Sequence, residues 1–92
     1  MAHLNSKRDK LIARVRRISG QIAGVERALE ADVDCADVLQ QVASARGAIN
    51  GLMDEIIEEH LREHVAKAGL SEKARSQGAD ELISILRIYS KK

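Results

Sequence analysis

A chain of 92 residues makes one small domain, and roughly 40% of the surface of so short a chain stays exposed after folding, so association with a second copy is expected. Proline, phenylalanine and tryptophan are absent and small aliphatic and charged residues dominate, which argues against sheets and predicts an all-α protein. The formal charge of +1 conceals an asymmetry that suits two kinds of partner: Lys7, Arg8, Lys10, Arg14, Arg16 and Arg17 face one acid, Asp9, whereas Asp54, Glu55, Glu58, Glu59 and Glu63 face one base, Arg62.

The first helix is predicted to begin after Asn5 or Ser6, either of which can cap it. Its apolar stripe, Leu11, Val15, Ile18, Ile22, Val25 and Leu29, recurs at alternating steps of four and three and is read as core. On another face Lys7, Lys10, Arg14, Arg17 and Gln21 fall within an arc of about 80°. Ordinary solvated faces intersperse glutamates for i, i+4 pairing, and here only Asp9 does so, which favours a polyanion-binding strip. With one tyrosine and no phenylalanine or tryptophan, base stacking is not expected, so the partner should be duplex DNA held mainly through phosphates rather than RNA. Helix-turn-helix and zinc-finger spacings are absent, and specificity should lean on DNA shape and arginine contacts to base edges.

Residues 31–34 form a short connection, with Asp34 as N-cap of a second helix and Asp37 favoured in its first turn by the helix dipole. Val38, Val42, Ala45, Ile49, Leu52 and Ile56 keep helical spacing, no proline interrupts, and Gly69 is expected to close this long helix in the left-handed conformation. Gly47 and Gly51 each cost a helix about 1 kcal/mol relative to alanine, so close approach of another helix backbone is expected there. A third helix should start near the cap Ser71 and run through Leu82, Ile83, Leu86 and Tyr89, with Ser76, Gln77 and Gly78 weakening its first half. No boundary or repeat is visible, and residues 1–92 are read as a single domain. The lone cysteine rules out an intrachain disulfide framework, and neither a membrane span nor a signal pattern is present, so a reducing cytoplasm and no membrane partner are expected.

Three metal-binding side chains, Cys35, His60 and His64, share one face of the second helix. His60 and His64 have the i, i+4 spacing with which two imidazoles grip one ion, and Cys35 points within about 20° of His60 yet lies roughly 37 Å away along the axis. One chain cannot close that gap. Two second helices packed antiparallel about a two-fold axis near Ala48 would set Cys35 of each protomer beside His60 and His64 of the other, and that axis coincides with the glycines. Taken singly, each residue has a plainer role: paired histidines on an acidic helix are more often surface residues, and a lone cysteine is usually a small hydrophobe. His3 is more simply a terminal residue, but it could reach over a site together with the chain's amine. Glu59, Glu63 and Asp34 could accept imidazole N–H groups, although most such acids are solvated. One thiolate with two or three imidazoles and an amine suits Zn(II), Ni(II) or Co(II), whereas Cu(I) would prefer a second sulfur.

The run Arg14-Val-Arg-Arg-Ile-Ser-Gly-Gln21, then Cys35, Leu39-Gln-Gln41, Arg46-Gly-Ala-Ile-Asn-Gly-Leu-Met53, His60 and His64, resembles the CsoR/RcnR family of small helical repressors across nearly the whole chain. The resemblance implies a dimer of dimers built on four-helix-bundle dimers, metal held between subunits, and operator DNA bound by the apo form and released on effector binding. The set His3, Cys35, His60 and His64 looks like the nickel and cobalt sensors of the RcnR and DmeR type. Copper sensors of the family carry a second cysteine where His64 stands, and persulfide sensors need two thiols; this chain departs from both. Formaldehyde sensors of the FrmR type share Cys35 and use an N-terminal proline amine, for which this chain offers Ala2 once Met1 is removed.

The leading expectation is therefore a metal-responsive repressor with His3, Cys35, His60 and His64 as ligands and Lys10, Arg14, Arg17 and Arg46 as DNA contacts. The alternatives are a formaldehyde-responsive repressor using Ala2 and Cys35, and a helical metal-binding assembly without a DNA role. An enzyme is not expected, because no nucleophile, base and orienting group converge.

Overall fold

The computed structural model describes residues 7–90, which form three α-helices and one π-helical turn with no strand among them. They run α1 (Arg8–Glu30), α2 (Cys35–Leu61), the π turn (Arg62–Ala66) and α3 (Glu72–Ser90). The chain divides into two compact units after Asp54. Among the described residues no helix is long and apolar enough to cross a membrane.

In the first unit, Lys7 occupies the N-cap of α1 without a side-chain cap hydrogen bond. The caps expected at Asn5 and Ser6 lie outside the described residues. At the other end the chain closes in a Schellman ending: Val33 N–H donates to Ala28 O at 3.0 Å and Asp32 N–H to Leu29 O at 3.2 Å. Asp32 takes the left-handed conformation this requires, with φ of 59°, a position usually held by glycine. Asp34 then caps α2 as expected, its Oδ2 accepting from Ala36 N–H at 3.3 Å.

The stripe of α1 is only partly core. Leu11 and Ile18 are buried, joined by Ala28 and by Ala45 of α2, which is 2% exposed. Val25 is half-buried, whereas Val15, Ile22 and Leu29 are exposed, Leu29 at 63%. Leu39, Val42 and Ile49 of α2 are exposed as well. A stripe about 100° wide is broader than one neighbouring helix covers, so its flank stays uncovered within the protomer.

In the second unit, the expected closure of the second helix at Gly69 gives way to an earlier ending. The α-helical pattern stops at Leu61, widens into the π turn, and ends with Lys67 extended at ψ 134°; Gly69, at φ +88°, lies in the following turn. Ser71 caps α3, its Oγ accepting from Ala74 N–H at 3.0 Å. The first half of α3 does not weaken at Gly78: the helix is continuous and Gly78 is its buried residue. Leu82 is half-buried, whereas Ile83, Leu86 and Tyr89 are exposed.

Candidate metal centre and basic face

Cys35 is the first residue of α2, an exposed free thiol beside the cap that Asp34 supplies. His60 lies in the last turn of that helix, and His64 lies in the π turn that follows it. Among the described residues no group of three His, Cys, Asp or Glu side chains converges on one point within the protomer. His3, expected as a further ligand, and Ala2, expected in the formaldehyde alternative, lie outside the described residues.

The two imidazoles do come together. Their ring centroids are 4.8 Å apart with planes tilted by 35°. His60 Nε2 lies 3.0 Å from the carbonyl oxygen of Gly78 and 3.7 Å from Glu81 Oε1. A carbonyl oxygen only accepts, so Nε2 carries the proton and donates, and in the neutral ring Nδ1 keeps its lone pair for a ligand. A fixed outer hydrogen bond of this kind orients a ligating imidazole. Two nitrogens on adjacent rings, with an exposed thiol offered elsewhere on the chain, fit a borderline divalent cation better than a hard, oxygen-seeking one.

Asp34 caps α2, and Glu63 pairs with Lys67 at 3.5 Å. Glu59 is not solvated but buried, with 3% exposure. Glu58 holds Arg62 at 2.8 Å, and that hydrogen bond, with the accompanying charge, raises the guanidinium above its already high ordinary range. The acceptors that meet His60, Gly78 and Glu81, belong to α3 and escaped the sequence reading. Their three-residue spacing, which puts both on one helix face, was the available signal.

On the basic face Lys10 and Arg17 are exposed, while Arg14 is half-buried. Its guanidinium occupies the space where a Cβ on Gly51 would stand. A Cβ on Gly47 would meet nothing within 4 Å. Gln21, placed on the strip by its spacing, turns to Ser44 of α2, with Nε2 3.5 Å from Oγ. Arg46 is exposed at the border of an apolar groove that α1 and α2 line with Ile22, Val25, Val42, Ala45 and Ile49.

Comparison with known proteins places these features in context. Residues 7–88 match the family model described as metal-sensitive transcriptional repressor. The chain is 48% identical over 91 residues, 99% of its own length and 100% of the relative's, to an uncharacterised protein of the bioA 5′ region of Serratia marcescens. It is 41% identical over 91 residues, again 99% and 100% of the two chains, to the transcriptional repressor RcnR of Salmonella arizonae. Among solved structures it is similar to a glutamate-to-histidine variant of the formaldehyde-responsive regulator FrmR from Salmonella enterica serovar Typhimurium, with a TM-score of 0.86, 40% identity, and coverage of 91% of this chain and 94% of that one.

Proposed function

The chain belongs to the metal-sensitive transcriptional repressors, which are not enzymes, and from that footing we propose that it is a cytoplasmic, single-domain repressor that holds operator DNA in the apo form and releases it on binding Ni(II) or Co(II). Zn(II) is the other ion its donor set suits. The observation that carries the proposal is the imidazole pair, with His60 Nε2 committed to Gly78 and its other nitrogen left for coordination. Cys35 of one protomer completes the site with His60 and His64 of an antiparallel partner, and His3 adds a further donor. The exposed apolar residues of α1 and α2 supply a surface for that pairing, and the exposed face of α3 one for a dimer of dimers.

When bound, the ion supplies a cross-link between protomers through the thiolate and imidazoles. Lys10, Arg14, Arg17 and Arg46 meet duplex phosphates and base edges, and closure of the site changes the spacing of the basic strips across the assembly. Coupling of this type is typically worth about 5–150-fold in affinity. Titrating the apo protein on its operator with Ni(II) or Co(II) is expected to lower DNA affinity within that range at stoichiometric metal. Unchanged affinity would exclude the sensing role.

Formaldehyde sensing is a second reading, favoured by the similarity to FrmR and by the exposed Cys35 thiol. Condensation of one formaldehyde with the thiol and the Ala2 amine forms an S–CH2–N bridge and releases one water, so the protein gains the mass of one carbon atom. Intact mass after brief formaldehyde treatment reads this gain directly, and its absence disposes of the alternative.

A further inference from the structure

The spacing of the His60 and His64 rings is not a property of α2 alone. His64 stands inside the π turn, and the segment Arg62-Glu-His-Val-Ala contains neither proline nor glycine to account for the widened backbone. Such turns are rare, and they persist where the surroundings hold them, often at functional sites.

Here α3 does the holding, at two residues three positions apart. Arg75 extends its guanidinium over the end of the turn, Nη1 donating to Val65 O and Nη2 to Lys67 O at 3.4 Å. These are carbonyls of a helix end, which lack intrahelical donors, and the planar guanidinium fork reaches both at once, as a single ammonium would not. Gly78 lies against His64 itself: a Cβ there would overlap the His64 carbonyl oxygen and stand 2.8 Å from its carbonyl carbon and 2.9 Å from its Cβ. The Gly78 carbonyl is also the acceptor for His60 Nε2. One short face of α3 thus grips the backbone around one imidazole and fixes the proton of the other.

We propose that Arg75 and Gly78 are positioning residues for the effector site, holding the π turn and the His60 tautomer so that the two rings present a ready-made chelating pair. The inference rests on the metal-sensing reading above. Because the template precedes metal, it is legible in the apo protein.

Long-range 1H–15N correlation spectra of the histidine rings in the full apo chain are expected to show His60 protonated at Nε2. The opposite tautomer, or an even mixture, would overturn the proposal without recourse to any variant. Arg75→Gln, whose amide cannot span both carbonyls, should keep its helical circular dichroism but shift the ring signals of both His60 and His64. It should also bind Co(II) about tenfold or more weakly, with altered ligand-field bands, in line with the usual effect of removing outer support. Gly78→Ala should do the same by forcing α3 off His64. Wild-type ring signals and Co(II) spectra in a folded Arg75→Gln protein would refute the assignment, and if either variant unfolds, the wild-type tautomer decides. A wild-type chain that binds no Co(II) would sink the metal reading instead, while the ring signals continue to judge the positioning on their own.

Discussion

Cys35, Lys10, Arg17 and Asp32 each present chemistry that a single substitution can interrogate. Cys35 is exposed and free, and Cys35→Ser should abolish the thiolate-to-metal charge-transfer absorption seen on adding Co(II) while leaving helicity intact. Retention of that band would remove the thiol from the site. Lys10 and Arg17 lie on the exposed part of the basic strip, so Lys10→Ala or Arg17→Ala should reduce the slope of log affinity against log salt by about 0.9 for each phosphate that is no longer neutralised. A slope unchanged in both would favour an assembly without a DNA role. Asp32 carries a left-handed backbone that favours glycine, and Asp32→Gly is expected to gain about 0.5–1 kcal/mol in denaturant unfolding. A decrease in stability would mean that the aspartate side chain contributes more than its backbone strain costs.

At the scale of elements, the capping chemistry is local and was legible. Asp34 and Ser71 act through their own side-chain oxygens on amides two and three residues ahead, an interaction that any helix start offers to such residues. Asp34→Ala should therefore cost about 1 kcal/mol, read from the shift in urea midpoint at constant m. The end of the second helix was not legible. Gly69 carried the usual stop signal and does adopt positive φ, but the α-helical pattern ends earlier, because Arg75 and Gly78 draw the segment before it into the π turn. Those residues come from another helix, and no local pattern reports what a distant guanidinium will bridge. Gly78 shows the same limit: along the chain it counts as a helix weakener, and in the fold it lies close against the His64 backbone.

For the molecule as a whole, Gly47 and the uncovered apolar flank bear on association. The Arg14 guanidinium lies over Gly51, whereas the space over Gly47 is open and Val42 and Ile49 remain exposed on the same helix. If an antiparallel partner crosses near Ala48, Gly47→Ala should shift sedimentation profiles toward smaller species, although alanine favours the isolated helix by about 0.8–1 kcal/mol. A variant that is more stable and equally associated would place the two-fold axis elsewhere.

Sequence alone determined the three helices, their caps at Asp34 and Ser71, the place of Cys35 at the start of the second helix, and the family, because periodicity, capping and motif spacing act over a few residues and are written directly in residue order. Tertiary structure decided which half of the α1 stripe is buried, that Arg14 folds against Gly51, that Glu59 is buried, and that α3 shapes the His60 and His64 pair. Each of those outcomes depends on which side chains from distant positions share a volume, and close packing admits only one occupant for each.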